Sequence, residues 1–346
     1  MIATNSIKAW FLAARPKTLS AAAVPILIAI ALAMRDCYLM ETVGDAAQPH
    51  ILHIPALLCL LFAWVMQIDS NFVNDYFDFK RGNDDETRLG PKRACAEGWI
   101  TESAMKTGII VTTLLGCAIG LPLVIYGGMA MIWVGVACVA FCFLYTTTFS
   151  YHGMGDILVL LFFGIVPVCC TYYVIMPEGY KTVSTEVVMA AIACGLVVDT
   201  LLVVNNFRDR DNDREAGKRT LIVKLIDRWD EKSALWLYLL LGYVPLAIMM
   251  GMGIHDAVVR DTSTFALPLY AVYAGAPVMR ANSREFLITL LTCLSPWLSP
   301  NSVYFGRICV STNSMISILT CCIIAFSPHY ISNANPRTMV RKTICP

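Results

Sequence analysis

Acidic and carboxamide side chains cluster at two places in this chain of 346 residues, each directly after a long apolar run. The first is NFVNDYFDFKRGNDDETRLGPKR, residues 71–93, and the second is NNFRDRDNDREAGKRT, residues 205–220. If each stretch begins as a helix at 100° per residue, these side chains share one arc of about 100°. The first arc holds Asn71, Asn74, Asp75 and Asp78, and the second holds Asn205, Asp209, Asn212 and Asp213.

Carboxylates gathered in this way repel one another. At a separation of about 5 Å and an effective dielectric near 20, two unit charges cost about 3 kcal/mol. A divalent cation with oxygen ligands relieves the repulsion, and Mg²⁺ commonly bridges a few carboxylates to phosphate oxygens. Basic segments with a glycine, KRG…GPKR and REAGKR, follow the acids and suit a phosphate or diphosphate. The pattern predicts a Mg²⁺–diphosphate site. The plainer interpretation, two loops whose charges face water, does not explain the shared Asn-xxx-Asp spacing.

The elements that position these residues are apolar. The mean hydropathy is +0.63, and 57% of the residues are hydrophobic and 15% charged, unlike a soluble domain. Backbone groups in lipid must be satisfied within their own segment, so apolar runs of membrane-spanning length are predicted to be helices. The predicted fold class is an all-α polytopic membrane protein with about nine transmembrane helices. The spans are 18–34, 51–68, 104–125, 128–149, 156–176, 185–204, 233–254, 262–279 and a ninth within 286–326.

The distribution of basic residues predicts the orientation. With the N-terminus in the cytoplasm, 18 lysines and arginines fall on the inner side, and only Arg35, Lys181 and Arg260 fall on the outer side. Both acidic segments then lie on the cytoplasmic face. The first span has no evident cleavage site and is expected to be retained. The 14 cysteines lie mainly in apolar runs without a CxxC pair, and we interpret them as small buried hydrophobes.

NDYFD at 74–78 and DRDND at 209–213 resemble the two aspartate-rich motifs of the UbiA superfamily of intramembrane prenyltransferases. Further stretches are most similar to its 1,4-dihydroxy-2-naphthoate prenyltransferase (MenA) branch. They are RPKTLSAA at 15–22, NDYFDFKRG at 74–82, RLGPKRACAEGWI at 88–100, GDILVLLFFGIVPV at 155–168 and NNFRDRDNDREAGKRTLIVKL at 205–225. The superfamily often has a third acid at the position of Gly82. Here the nearest acids are Asp84 and Asp85, a shift that MenA-like sequences share.

The resemblance implies helices around a central cavity that the two polar loops cap. It implies that Mg²⁺ is held on a polyprenyl diphosphate by Asp75, Asp78, Asp209 and Asp213. It places near the diphosphate Asn71, Asn74, Asn205, Lys218, Arg219, Arg15 and Lys80. The implied reaction transfers the polyprenyl group to 1,4-dihydroxy-2-naphthoate with loss of CO₂, in a bacterial cell membrane, with no nucleic acid partner. Mg²⁺ and the bases would stabilise the leaving diphosphate, and the cavity would exclude water from the allylic cation.

Five other residues have both a functional and a structural interpretation. Tyr145, Tyr172 and Tyr173 are candidates to shelter the cation, with ordinary packing as the alternative for each. Asp156 follows HGMG and is predicted to cap the N-terminus of the fifth span. Asp199 lies deeper, in GLVVDTLLVV, where a lone acid indicates function, although we expect a structural pairing with a neighbouring helix.

Two other functions are compatible with parts of the pattern. A different aromatic acceptor, such as 4-hydroxybenzoate or homogentisate, fits the same two motifs. A cation-coupled transporter would use Asp199 together with the acids at the helix ends, but it predicts acids near the midplane of both halves. Most of the acids lie instead at one interface beside many bases, which favours an anionic headgroup.

The chain divides by composition into a transmembrane domain at 1–281 and an atypical segment at 282–346. The second segment is rich in Ser, Thr, Asn and Cys, and the resemblance fades there. We interpret this change as a shift of reading frame near 282–290. The ninth helix is expected within this segment, and SPHYISNANPRTMVRKTICP is expected to be a disordered tail.

Overall fold

The structure, a computed structural model, describes residues 2–43, 49–82 and 92–260. Within these ranges every regular element is helical. The α-helices are α1 (Ile7–Ala14), α2 (Pro16–Val43), α3 (His53–Lys80), α4 (Glu102–Gly120), α5 (Leu123–Gly127), α6 (Ala130–Thr147), α7 (Gly155–Leu160), α8 (Val166–Ile175), α9 (Thr185–Arg208), α10 (Arg210–Glu215), α11 (Leu221–Arg228) and α12 (Glu231–Arg260). A 3₁₀ turn covers Phe149–His152, and a π-helix covers Leu161–Ile165 between α7 and α8.

Seven helical segments of the described ranges are long and apolar enough to cross a membrane. They are Pro16–Cys37, His53–Lys80, Glu102–Gly120, Ala130–Thr147, Gly155–Ile175, Thr185–Arg208 and Glu231–Met249. The all-α prediction and the first seven predicted spans are confirmed for these ranges. The spans at 262–279 and 286–326, the segment 282–346, and Asp84 and Asp85 lie outside the described residues. Large apolar side chains such as Trp133, Ile125 and Leu114 are exposed on the helices, as expected of a surface that meets lipid.

Two units can be distinguished along the chain. The first comprises Met1–Cys37 and Ala47–Ile248, and it contains both acidic segments. The second comprises Tyr38–Ala46 and Met249–Pro346, of which the described parts are the last residues of α2 and the C-terminal part of α12. The candidate site therefore belongs entirely to the first unit.

The short helix α1 packs against α3 and α4. The Trp10 ring contacts the Phe72 ring edge-on, with ring centroids 5.3 Å apart. It also covers Gly108, where an added Cβ would lie 2.7 Å from the Trp10 ring. The Asn71 amide donates hydrogen bonds of 2.9 Å to the Ala14 carbonyl and the Thr18 hydroxyl. These contacts fix the turn from α1 into α2 against the middle of α3.

A glycine pair brings the π-helix close to α9. A Cβ at Gly164 would lie 2.5 Å from the Ala191 carbonyl oxygen, and one at Gly195 would lie 2.9 Å from the Leu160 carbonyl oxygen. Small residues permit such close backbone approach between membrane helices. The crossing fixes α7 beside the middle of α9, which sets the positions of Asp156 and Asp199.

Contacts between helix ends show that both acidic segments lie at the same end of the bundle. Beyond the end of α3, Arg81 donates to the Thr147 carbonyl at the end of α6 at 2.7 Å. Lys224 of α11 donates to the His152 carbonyl in the 3₁₀ turn at 2.6 Å. At the opposite end of the bundle, Arg35 of α2 pairs with Glu186 at the start of α9 at 2.6 Å.

Candidate active site

Two buried aspartates of α3 hold the chain segment that follows the first acidic stretch. The Asp75 carboxylate accepts hydrogen bonds from the backbone N–H groups of Ala94 at 2.9 Å and Cys95 at 2.8 Å. One turn further, the Asp78 carboxylate pairs with the Arg93 guanidinium at 3.0 Å. Because both partners lie in the basic stretch at 92–95, α3 and this stretch form one unit at the end of the bundle.

The other residues predicted around the first motif have separate partners. Asn71 is buried and holds the turn between α1 and α2. The Asn74 carboxamide oxygen accepts a hydrogen bond from the Thr146 hydroxyl of α6. Lys80 pairs with Glu102 at 2.9 Å and is half-exposed, so its ammonium is directed toward α4. Arg15 ends α1 in the left-handed region, with φ of 51°.

The second acidic stretch is not one continuous helix. α9 ends at Arg208, and Asp209 is a junction with φ of −93° and ψ of 6°, after which α10 begins. Asn205 therefore belongs to α9, whereas Asn212 and Asp213 belong to α10, so the stretch is not the one unbroken helix that the predicted arc assumes. The N–H groups of Asp209 and Asp213 still donate to the carbonyls four residues earlier, so the interruption is confined to Asp209, and aspartate is a residue of low helix propensity. The Asp209 carboxylate is held by Arg208 through two hydrogen bonds of 2.7 Å.

The environment of Asp213 shifts the pKa of its carboxyl. Burial raises the pKa of its carboxyl above the ordinary value. The carboxylates of Asp209 and Asp78 act in the same direction, and the Lys218 ammonium, 3.5 Å away, acts against them. Asp78 belongs to the other acidic stretch, which lies at the same end of the bundle.

Of the two adjacent bases predicted to bind diphosphate, only Lys218 faces this region. It lines a small pocket, whereas Arg219 is exposed and lies 3.6 Å from Asp227. The residues that line the pocket are Tyr145, Ser150, Gly153, Gly155, Asp156, Asn206, Lys218, Thr220 and Leu221. The pocket is thus formed by the end of α6, the start of α7, the end of α9 and the segment before α11.

Tyr145 of α6 lines this pocket together with Asp156 and Lys218. Its ring lies beside Gly155, where an added Cβ would be 3.5 Å from the ring edge. Tyr145 is therefore the one of the three candidate tyrosines that borders the pocket. The packing alternative holds for Tyr172, which donates to Asp36 at 2.7 Å at the opposite end of the bundle, and Tyr173 follows it there.

Comparisons with known proteins identify the family of the chain. The UbiA prenyltransferase family matches residues 43–290. The chain belongs to this family. The 1,4-dihydroxy-2-naphthoate octaprenyltransferase of Escherichia coli is 36% identical over 232 residues, 63% of this chain and 68% of that protein. The enzyme of the same name from Haemophilus influenzae is 33% identical over 231 residues, 64% of this chain and 70% of that protein. A solved UbiA homologue from Archaeoglobus fulgidus, bound to Cd²⁺, has a TM-score of 0.49 and 15% identity, covering 91% of this chain and 99% of that one.

Membership of the UbiA prenyltransferase family and the seven apolar helices identify an integral membrane protein and an aromatic prenyltransferase.

The sequence did not reveal the roles of two residues of the candidate site. Arg93 lies in the motif RLGPKRACAEGWI, and nothing in its position there predicted that it is the buried partner of Asp78. Asp156 was expected to cap α7, but Met154 occupies the N-cap position and the Asp156 side chain makes no capping hydrogen bond. The sequence at the start of α7 did not indicate that this acid lines a pocket.

The donor set suits a hard divalent cation, because both acidic stretches offer carboxylate oxygens at the same end of the bundle. In the part of the chain that the structure describes, no three His, Cys, Asp or Glu side chains form a cluster that could hold an ion by themselves. Mg²⁺ usually takes one or two carboxylates and completes its shell with water and phosphate oxygens. Asp78 and Asp213, one from each stretch, match that requirement.

Proposed function

We propose that this chain transfers a polyprenyl group from a polyprenyl diphosphate to 1,4-dihydroxy-2-naphthoate, with loss of CO₂. The observation that carries the proposal is the position of both acidic stretches at one end of the bundle, where Lys218 lies beside Asp213 and the buried Arg93 pairs with Asp78. The identity to two octaprenyltransferases for this acceptor supports the choice of substrate. The excess of basic residues on the side of the acidic stretches supports a cytoplasmic location for them and for the N-terminus.

Asp78 and Asp213 would hold Mg²⁺, and the ion would supply positive charge to the departing diphosphate. Asp75 supports this position by fixing the segment that carries Arg93. Asp209 follows the end of α9, where the Arg208 guanidinium holds its carboxylate. In this proposal each acidic stretch contributes one carboxylate to the ion and one that is held by its own partners.

The bases of this chain stabilise the charge that develops as the allylic C1–O bond breaks. Lys218 lines the pocket, and Arg93 is buried beside Asp78. Fixed charges of this kind stabilise a transition state because they need no reorganisation when the bond breaks. Tyr145 offers an aromatic face to the allylic carbon, and the buried setting excludes the water that would trap it.

The test uses the purified protein in detergent with a polyprenyl diphosphate, the naphthoate and Mg²⁺. The expected products are prenylated naphthoquinol and CO₂, and EDTA should abolish both. Asp213→Asn should lose most of the turnover, whereas Asp211→Asn, an exposed acid on the same short helix, should retain it. Absence of product from the wild-type protein, or full activity with EDTA, overturns the proposal. Faster turnover of 4-hydroxybenzoate or homogentisate overturns the choice of acceptor alone.

A further inference from the structure

Arg81, the residue that follows α3, is an exposed base that the function described above does not use. Its guanidinium donates hydrogen bonds to the Thr146 carbonyl at 3.1 Å and to the Thr147 carbonyl at 2.7 Å. Both carbonyls belong to the last turn of α6, where a helix leaves its acceptors without intrahelical donors. The partial negative charge of a helix C-terminus also favours a cation there. Arg81 therefore binds the end of α6 from the end of α3.

The same guanidinium lies over the ring of Tyr151, 4.4 Å from the ring centroid. Tyr151 belongs to the 3₁₀ turn between α6 and α7. An aromatic face attracts a guanidinium, and the planar group can stack on the ring while its N–H groups donate at the edge. Arg81 thus makes three contacts that depend on its planar shape. Through them the end of α3 holds both the end of α6 and the turn that follows it.

The other side of the 3₁₀ turn holds the segment that carries Lys218. The Tyr151 carbonyl accepts a hydrogen bond of 3.1 Å from the backbone N–H of Arg219. Directly after the turn, Gly153 has φ of 68°, and a Cβ there would lie 2.7 Å from the Arg219 carbonyl oxygen. The turn and this segment are therefore in close backbone contact. Because Arg219 follows Lys218 in the chain, the turn fixes the backbone from which the Lys218 side chain extends.

Lys218 is the base that the proposed function places at the diphosphate. Its ammonium lies 3.5 Å from the Asp213 carboxylate, and its backbone N–H donates to the Asp213 carbonyl at 2.7 Å. Its position thus depends on Asp213 on one side and on the 3₁₀ turn on the other. A charge stabilises a bound anion only when it is held at the correct place, so small displacements of its backbone reduce its effect.

We infer that Arg81 is a positioning residue for the polyprenyl diphosphate, which acts through Tyr151 and the 3₁₀ turn on the backbone of Lys218. This inference rests on the proposed function. The path of contacts begins in the first acidic stretch, at Arg81, and ends in the second, at Arg219. It keeps the two stretches in register at one end of the bundle. The alternative role for an exposed base is direct contact with the diphosphate, and the two roles predict different results.

Hydrogen exchange measures the backbone without substrates. The purified protein in detergent should protect the Arg219 N–H, because the Tyr151 carbonyl accepts from it. Arg81→Gln and Tyr151→Leu should each raise the exchange rate of the peptide that contains this N–H about tenfold, since each releases the turn. The N–H groups at 94–95, which donate to Asp75, should exchange as in the wild type. Unchanged exchange of the Arg219 peptide in both variants overturns the inference.

Steady-state kinetics separates positioning from direct contact. Arg81→Gln should raise the KM for the polyprenyl diphosphate about three- to tenfold, because a residue that acts through Lys218 cannot cost more than the loss of Lys218. Tyr151→Leu should raise it in the same way, and the KM for the acceptor should stay within about twofold in both. Arg81→Lys should recover only part of the loss, since it keeps the charge without the planar fork. Full recovery by Arg81→Lys, with a normal KM in Tyr151→Leu, means direct contact and overturns the inference.

A double-variant cycle tests the path through Lys218. In Lys218→Ala, the further change Arg81→Gln should alter the KM for the polyprenyl diphosphate less than about twofold, because effects along a shared path are not additive. Full additivity overturns the inference. The matched control is Lys106→Gln, which removes another exposed base at this end of the bundle, one that lies 5.6 Å from the centroid of the Tyr76 ring. It should match the wild type in exchange of the Arg219 peptide and in both KM values.

The outcomes separate the inference from the function. Normal turnover of the wild type, with unchanged exchange and KM values in Arg81→Gln, overturns this inference and leaves the proposed function standing. Absence of turnover in the wild type overturns the proposed function. If Arg81→Gln does not fold, Tyr151→Leu gives the same two readouts, and wild-type exchange and kinetics in that variant overturn the inference.

Discussion

The guanidinium of Arg93 lies 3.0 Å from the carboxylate of Asp78, and both side chains are buried. This pair connects the last full turn of α3 to Arg93, the last residue of the first acidic stretch. It also neutralises a carboxylate that we propose as a metal ligand. A charge pair in this position has two separable effects, one on stability and one on the reaction.

Arg93→Gln should lower the free energy of unfolding by about 3–5 kcal/mol, because it leaves the Asp78 carboxylate buried without its partner. The double variant Arg93→Gln with Asp78→Asn should recover most of that stability, since no unpaired charge remains. It should not recover turnover, because the proposed metal ligand is absent. Thermal unfolding in detergent and prenyl transfer measure the two effects. A single variant as stable as the wild type would contradict the pairing.

Lys218 and Arg219 are neighbours in the chain, yet the structure gives them different surroundings. Lys218→Ala should raise the KM for the polyprenyl diphosphate about tenfold or more, because a pocket-lining charge that binds an anion is lost. Arg219→Ala should change it less than about threefold, because this side chain is exposed beside Asp227. The two variants, assayed together, serve as controls for each other. Equal losses would show that the diphosphate reaches both bases.

Prediction from the sequence succeeded where one helix carries the residues and failed where the partner comes from elsewhere. α3 runs unbroken to Lys80, so helical spacing brought Asp75 and Asp78 to one buried face, as the arc predicted. The same rule did not predict the break between α9 and α10 at Asp209, because no glycine or proline signals it in the sequence.

The partners of the acids could not be read from spacing. Asp75 is satisfied by backbone groups of the segment at 94–95, and any sequence offers such groups. The packing of α7 against α9, which carry Asp156 and Asp199, depends on the depth at which the two helices cross; Gly164 and Gly195 permit the crossing but do not predict its depth. Tertiary packing, which has no local signature, decided each of these cases.

The glycine crossing leads to a prediction about α9. Gly195→Ala should lower stability by about 1–3 kcal/mol, because a Cβ would lie 2.9 Å from the Leu160 carbonyl oxygen and the helices would have to separate. It should also slow turnover, since the start of α7 lines the pocket that contains Lys218. Gly135→Ala in α6 is the matched control, because a Cβ there meets nothing within 4 Å. Thermal unfolding and initial rates measure both variants, and similar behaviour of the two would refute the crossing as a constraint.

Arg35 forms a second buried charge cluster, at the opposite end of the bundle from the site. Its guanidinium pairs with Glu186 at 2.6 Å and Asp36 at 2.7 Å, and the Tyr172 hydroxyl donates to Asp36 at 2.7 Å. The cluster ties α2 to α9 and α8. Since the two carboxylates depend on one guanidinium, its removal leaves both without their shared counterion.

Arg35→Met should therefore lower the free energy of unfolding by about 3–5 kcal/mol. Arg35→Lys should recover only part of it, because one ammonium lacks the planar fork that reaches two carboxylates. The KM values for both substrates should be unchanged in the folded protein, since the cluster is remote from the pocket. The control is Arg214→Gln, which breaks a more exposed pair with Asp227 and should cost no more than about 1 kcal/mol. Thermal unfolding decides the order of the three variants. A stable Arg35→Met variant would mean that the cluster does not hold these helices together, and a changed KM would mean that it communicates with the site.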